Sequence, residues 1–359
     1  MSDTLVKGDL RILREQPLNA ETPAHLLDDP ITPTHLHFIR NISKPPASID
    51  TANWTLTIDG EVHNPLKLSL DELKSRFEPV TFALMLQCAG DGRIGFTPET
   101  PGLQFGEGAV ACARWTGVRL KDVLEAANLK PGAVYTAHYS SNCKVPGDPH
   151  GAPMSRGLPI GKALTENVLI AYEMNGAPLD IQHGAPLRLV VPGWPGSCSQ
   201  KWLSRIWIRD KVHDGACMTG TTYRMPNRPI GPGEAYTDND FDIIERLPVK
   251  SMITYPRAGA TVGQKMQLRG HAWSGDRSVD RLDVSIDGGK SWFPADLKPP
   301  VNPGAWQNWS AEITFPGSGT YEVCVRATDQ EGEVQPVSAG WNPGGYLNNS
   351  IHRITVEVV

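Results

Sequence analysis

Apolar and polar positions alternate with a period of two along WTLTIDGEV (54–62), which ends at a turn and predicts a strand. The next stretch, SLDELKSRF (69–77), opens on a serine, carries acids in its first turn and bases near its end, and predicts a short helix. PVTFALMLQ (79–87) predicts a strand, and RLKDVLEAANL (119–129) an amphipathic helix stopped by Lys130-Pro131-Gly132. AVYTAHYSS (133–141), NVLIAYEMNG (167–176), PLRLVVPGW (186–194) and SQKWLSRIWIRD (199–210) alternate or run apolar, as strands do. Helices and strands mix here without a strict strand–helix–strand rhythm, so the class is α+β. Residues 1 to about 50 are proline-rich and predict extended chain draped over a surface. From about Leu247 the texture changes to short strands with a turn roughly every ten residues, the pattern of an immunoglobulin-like sandwich, and Asp287-Gly288-Gly289 marks a hairpin turn within it. The expected organisation is a first domain over 1–246 and an all-β sandwich over 247–359. Residues 211–246 form a long irregular connection of the kind that usually carries function.

A length of 359 residues suits two domains with ample core. Gly (35) and Pro (31) are numerous but spread out, which fits many strands and turns rather than a low-complexity tail. The formal net charge of -5 argues against nucleic acid as a partner, whose binding leans on phosphate neutralisation. No apolar run reaches the roughly 18 residues that span a bilayer, so no membrane association is expected. The polar start, MSDTLVKGDLRILREQ, has no signal-type apolar region; it fits either a cytoplasmic protein or one whose export leader has been removed.

Six cysteines are present, at 88, 112, 143, 198, 217 and 324, and no two are closer than nineteen residues. The spacing excludes CxxC metal patterns and the CxxCH of an attached haem. For any one of them the plain expectation is a buried free thiol. A single thiolate ligand to a cofactor metal leaves no spacing signature and stays open.

One cysteine stands out by context. In LMLQCAGDGRIGF (84–96) a strand ends at Cys88 and a glycine-rich turn with Arg93 follows; strand ends are where loops converge on ligands. The stretch LQCAGDGR resembles the cysteine-ligand loop of the sulfite oxidase family of molybdenum enzymes. HFIRN (37–41), ARWTGVRL (113–120), AYEMNGAPL (171–179), HGAPLRLVVPG (183–193), KWLSRI (201–206), AWSGDRSVDRLDVSIDGGKSW (272–292) and WNPGGYLNNSIHR (341–353) look like segments of that family in family order. The resemblance covers roughly residues 25–355.

That resemblance implies a molybdopterin-binding first domain and a sandwich that makes a homodimer. It implies molybdenum on the dithiolene of a single pyranopterin (Mo-molybdopterin), with Cys88 as the one protein thiolate. Arg40 and Arg93 match anion-pocket arginines, where guanidinium groups offer forked donors to an oxyanion such as sulfite. Tyr223 in GTTYRMP matches the active-site tyrosine, with a role in hydrogen bonding at the metal centre and proton movement; Arg224 and Tyr236 are nearby competitors. Phe38, Ile39, Arg40, Asn41 and Ile42 match a segment lying along the pterin. His183, Arg188, Ser199, Gln200 and Lys201 match contacts to the pterin and its phosphate, and Asp148 an acidic contact. The rest of the cysteines keep the plain reading.

Three departures from the family are visible. Asp91-Gly92-Arg93 stands where Asn-Arg-Arg is common, Phe105 where vertebrate-type members carry a tryptophan, and Gly344 where they carry a further pocket arginine. All three are expected to loosen or discharge the pocket, and they suggest a bacterial-type member. With no haem site in the chain, the electrons from sulfite are expected to go to an external c-type cytochrome, with the acidic stretch GEAYTDNDFDIIE (233–245) either a docking patch or an ordinary solvated loop. The same analogy implies a periplasmic location with a trimmed leader, cytoplasm being the alternative. The rival activities are a sulfane dehydrogenase subunit, a plant-type nitrate reductase core and, from a different class, a sandwich-type binding protein; a methionine sulfoxide reductase of the superfamily would lack the sandwich.

Overall fold

The computed structural model describes residues 9–140 and 154–359. In the first domain the described residues form two five-stranded sheets. One is wholly antiparallel: Pro79–Gln87 pairs with Val110–Arg119, which pairs with Leu169–Met174, and the short strands Ala177–Pro178 and Arg188–Val190 complete it on the far edge. The other orders Leu66–Ser69, Thr55–Gly60, Leu203–Arg209, Tyr135–Ser140 and Gly157–Pro159, and its one parallel pairing joins Leu203–Arg209 to Thr55–Gly60.

The helices form where capping and amphipathicity dictate. Ser69 accepts the amide of Glu72 while the Glu72 carboxylate accepts the amide of Ser69, a capping box that starts Leu70–Arg76. The second helix, Leu120–Ala127, buries Leu120, Val123, Leu124 and Ala127 on one face and ends at Asn128 in the left-handed conformation. Both helices pack between the sheets in one core with Leu56, Ile58, Ile170, Leu189 and Ile206.

The expected sandwich is present. A four-stranded sheet (Val249–Tyr255, Lys265–Ser274, Gln307–Thr314, Asp296–Leu297) faces a five-stranded one (Thr261–Val262, His352–Val358, Gly319–Asp329, Val279–Ser285, Phe293–Pro294) over a core that includes Trp309, Phe315, Val323 and Val356. Two regions differ from the sequence reading. Val110–Arg119 is the central strand of its sheet, yet its run of alanines and a glycine gives little alternation because both faces are buried. The connection 211–246 contains a small hairpin, Arg224–Pro226 against Phe241–Ile243, and residues 11–21 form another.

A further apolar cluster joins the two domains: Met85, Val110 and Cys112 from the first pack with Leu247, Met252, Trp273 and Trp306 of the second. Polar ties run through it. Trp273 Nε1 donates to Gln87 Oε1 at 2.9 Å, and Gln87 Nε2 donates to Asp91 at 2.9 Å. The sandwich therefore steadies the residue just before Cys88 and the turn just after it.

His271 fastens the N-terminal segment onto the sandwich. Its fully buried ring stacks on Trp306 at 3.8 Å, with Nε2 2.6 Å from the Leu27 carbonyl and Nδ1 2.9 Å from Asn308. Burial lowers its pKa to about 4, against the opposing hydrogen bonds to Leu27 and Asn308. The unfolded chain takes up this proton near the ordinary 6.5 and the folded chain does not, so the stability present above pH 6.5 drains away as pH falls toward 4. Thermal unfolding midpoints are expected to fall over that window, and His271→Asn to flatten the slope there. An unchanged slope in the variant would show that this histidine does not contribute.

Candidate active site

Cys88 closes the strand Pro79–Gln87. Its amide donates to the Ala109 carbonyl at 2.9 Å, its carbonyl accepts the Asp91 amide at 3.0 Å, and the Gly90 amide points at its sulfur at 3.4 Å. The turn is completed by Gly92 at φ 80° and the single 3₁₀ turn Arg93–Gly95. Cys88 is 7% exposed and lines a narrow cleft.

Cations dominate that cleft. Arg40, Arg188 and Lys201 line it, and no carboxylate does among the described residues. Lys201 Nζ donates to the Arg40 carbonyl (3.1 Å) and to Asn41 Oδ1 (2.9 Å). Burial, then repulsion from Arg188 and Arg40, push the Lys201 pKa well below its ordinary value, with Asp180 opposing. Burial likewise lowers Arg188 to about 10. Burial also works against the charge of Arg40, yet neighbouring Tyr223, Cys88 and Tyr346 hold its proton more tightly than usual. Several buried polar atoms of the lining have no partner among the described residues: Arg188 Nε, Ser197 Oγ, Gln200 Oε1 and Ser43 Oγ. Orphaned groups of this kind, beside crowded cations, mark a site shaped for a polar, anionic ligand.

Tyr223 lines the same cleft from the connecting segment. Its backbone is left-handed (φ 54°), a conformation that costs about 1–3 kcal/mol for a non-glycine residue and is held by surrounding contacts such as Ile244 N to Tyr223 O at 3.2 Å. Burial raises its phenol to about 12, with Cys88, Tyr346 and Cys217 adding to this and Arg40 opposing. It is a neutral hydrogen-bond donor at ordinary pH. Elsewhere burial pushes the Cys112 thiol up to about 12 and Cys324 up to about 11, as expected of inert buried thiols.

Two family models match the chain: "Oxidoreductase molybdopterin binding domain" over residues 43–217 and "Mo-co oxidoreductase dimerisation domain" over residues 241–359. Sulfite oxidase of Gallus gallus is 36% identical over 96% of this chain and 77% of its own length. The chain belongs to the sulfite oxidase family of molybdenum enzymes. Mitochondrial sulfite oxidase of Homo sapiens is also 36% identical, over 97% of this chain and 66% of its own length, and the NAD(P)H nitrate reductase of Hordeum vulgare is 31% identical over 99% of this chain and 43% of its own. Among solved structures, the sulfane dehydrogenase SoxCD from Paracoccus pantotrophus superimposes with a TM-score of 0.79 at 27% identity, covering 98% of this chain and 91% of that one.

The residues present fit the sulfite oxidase family's cofactor, a molybdenum–pyranopterin group. Among the described residues there is no cluster of three or more His, Cys, Asp or Glu to chelate a bare ion. One thiol at a strand end, three cations and orphaned polar atoms instead suit a metal that arrives already held by a phosphorylated organic ligand. Of the residues expected from sequence, Phe38, Arg40, Asn41, Ile42, Cys88, Arg188, Ser199, Gln200, Lys201 and Tyr223 come together around the cleft.

Others stand apart. Ile39 is buried and does not line the cleft; its backbone pairs with Ala20. His183 is buried and does not line the cleft; its Nδ1 lies 2.8 Å from Asp180 and its carbonyl accepts from Arg188 at 3.1 Å. Asp148 lies outside the described residues. Arg93 does not line the cleft: its guanidinium donates to the Leu103 (3.0 Å) and Gly345 (3.1 Å) carbonyls, and a Cβ on Gly90 or Gly102 would come within 2.7 Å of it. Its Nη2 has no hydrogen bond among the described residues.

The departures from the family read differently in three dimensions. Asp91 is buried in an ion pair with Lys250 at 2.7 Å, so its own charge is met inside the fold. Phe105 packs in the core with Phe38 and Cys88 rather than on the cleft wall. At Gly344 a Cβ would sit 2.5 Å from the Tyr346 ring, so the space for a side chain is taken by that tyrosine. In the acidic stretch 233–245, Arg228 pairs with Glu234 (2.6 Å) and Asp240 (2.9 Å) and balances part of the charge. Arg224 turns to the carbonyl of Phe241, and Tyr236 is exposed against the Phe241 ring.

Two neighbours escaped the sequence reading. Arg156 is fully buried 5.5 Å from the Tyr223 ring and donates to the Cys217 (2.7 Å) and Ile244 (3.0 Å) carbonyls. Nothing local marks it off from a surface arginine. Tyr346 stacks on Tyr223 at 5.6 Å; it lay within the segment WNPGGYLNN, where only Gly344 drew notice.

Proposed function

We propose that this protein oxidises sulfite to sulfate and passes the electrons to an external acceptor. The observation that carries the reading is the gathering of one buried thiol, Cys88, with Arg40 and Tyr223 beside Arg188 and Lys201 in a cleft that no carboxylate among the described residues lines. Bound molybdenum–pyranopterin supplies two-electron oxygen-atom chemistry. The balance is SO₃²⁻ + H₂O → SO₄²⁻ + 2 H⁺ + 2 e⁻. Cys88 would anchor the metal as thiolate, and Arg188, Lys201, Ser199 and Gln200 would hold the pterin and its phosphate. Arg40 attracts and orients the anion. Tyr223, neutral at ordinary pH, donates a hydrogen bond and moves protons released by the reaction. The likeness to sulfite oxidases supports the substrate, and the dimerisation-domain match supports a homodimer. A small c-type cytochrome as acceptor and a periplasmic location are parts of the same proposal, resting on the bacterial-type departures and on a cysteine spacing without the CxxCH of a covalently attached haem.

A second reading, oxidation of carrier-bound sulfane sulfur, is favoured by the likeness to the sulfane dehydrogenase. The deciding experiment measures molybdenum and sulfite-dependent reduction of ferricyanide and of cytochrome c on one preparation, with thiosulfate and nitrate as parallel substrates. Stoichiometric metal with turnover on sulfite alone is expected. Metal-loaded protein inert to sulfite would overturn the reading.

A further inference from the structure

A second cleft, open to solvent, is formed by residues 225–231 of the connection and residues 339–349 of the sandwich. Tyr223 lines the inner, Cys88-containing cleft and Tyr346 lines the outer one. Their rings stack with centroids 5.6 Å apart and planes 19° from parallel, so the two clefts meet at a double thickness of tyrosine.

Tyr346 is held there by an unusually constrained loop. Its amide donates to Asn342 Oδ1 at 3.0 Å and its carbonyl accepts from Asn342 Nδ2 at 2.9 Å. The next residue, Leu347, donates its amide to the Ala89 carbonyl at 2.8 Å, which ties the loop to the cysteine turn. Gly345 is left-handed (φ 56°), and a Cβ there would fall 2.0 Å from Thr100 Oγ1. Both preceding positions lack side chains: the ring takes the space at Gly344, and Thr100 and Arg93 take it at Gly345. The Arg93 guanidinium sits 5.2 Å from the ring centroid, so a positive charge stands behind the aromatic face where an anion would pass.

Arg188 and Lys201, the cations suited to hold the cofactor, line the inner cleft with Cys88, and the outer cleft adjoins it through the Tyr223–Tyr346 pair. We propose that the outer cleft is the substrate entrance and that Tyr346 is the specificity-determining residue at its inner end, sized to pass a small oxyanion such as sulfite and to reject the same anionic head carrying an organic substituent. This deepens the proposed function and rests on it for the identity of the small anion.

The test is direct binding, by titration calorimetry on molybdenum-loaded protein, of sulfate and of benzenesulfonate to wild type, Tyr346→Phe and Tyr346→Ala. Sulfate is expected to bind all three within about threefold, and benzenesulfonate to bind Tyr346→Ala at least about tenfold more tightly than wild type or Tyr346→Phe, since the barrier is the ring and not its hydroxyl. Benzenesulfonate binding that is equal in wild type and Tyr346→Ala, or absent from both, overturns the proposal. Should Tyr346→Ala lose its thermal transition, Tyr346→Leu takes its place with the same criterion. Because the readout is binding, a wild type that fails to oxidise sulfite refutes the proposed function while this comparison still gives its own answer.

Discussion

Replacing Cys88 with serine is expected to abolish sulfite turnover while leaving the fold intact. Serine is nearly isosteric, and its Oγ accepts from the Gly90 amide as the sulfur now does at 3.4 Å. The surroundings, Leu86, Phe105 and Ala109 in one core cluster, lose almost no volume. What is lost is chemical: a serine hydroxyl does not ionise in the neutral range and offers no soft anion to a heavy metal. Changing residues that merely support a metal ligand costs about 10–100-fold in affinity or activity, so removing the ligand itself should cost on the order of 1000-fold or more. The measurements are kcat with ferricyanide as acceptor, molybdenum content, and a circular dichroism melt to show that the fold persists. Turnover retained within tenfold would mean that the metal is held by some other side chain.

The second large effect concerns stability. Lys250, in the first strand of the sandwich, is 2% exposed and lies 2.7 Å from Asp91 and 2.8 Å from Glu107. The two carboxylates raise its pKa against the penalty of burial. Asp91 is itself buried and pulled upward by burial, with Lys250 as its main counterweight. Lys250→Met removes the only cation of this trio and leaves a buried carboxylate uncompensated, at an expected loss of about 3–5 kcal/mol. The sign with pH follows from Asp91. Without Lys250 its folded pKa lies above the unfolded one, so folding keeps its stability at low pH and loses it as pH rises through the folded value. The deficit relative to wild type, read from urea unfolding, should therefore be larger near pH 8 than near pH 5. The same change should lower molybdenum content, because Asp91 Oδ1 accepts the Ala109 amide at 2.9 Å and the Ala109 carbonyl holds the Cys88 amide at 2.9 Å. A loss below about 1 kcal/mol, of the order of an exposed pair, would show that the trio is solvated rather than buried.

These two residues illustrate how differently the chain discloses its parts. Cys88 was legible because its setting is local: a strand, a thiol and a glycine turn follow one another within thirteen residues. The helices were legible for the same reason, since Ser69 and Glu72 cap within one turn. Lys250 and Asp91 are 159 positions apart, and no local pattern pairs them. Asp91 drew its meaning in the sequence only from the turn Asp91-Gly92-Arg93, whereas the approach of the sandwich makes it a buried strut paired with Lys250. Arg93 read as a pocket residue; the close passage of three glycines, from two separate loops, carries its guanidinium toward Tyr346 instead.

The sequence by itself determined the two-part α+β and sandwich plan, most strands and both longer helices, the single thiol and most of the cationic wall, because each depends on spacing along the chain or on a run of matched segments. Only the tertiary structure decided which of those side chains share a cleft, that Ile39 and His183 are not among them, and that Tyr346 stands against Tyr223. Those outcomes depend on how the connection 211–246 and the sandwich loop 339–349 fold back over the cysteine turn. That closure is set by long-range packing and buried charge, which local spacing along the chain does not encode.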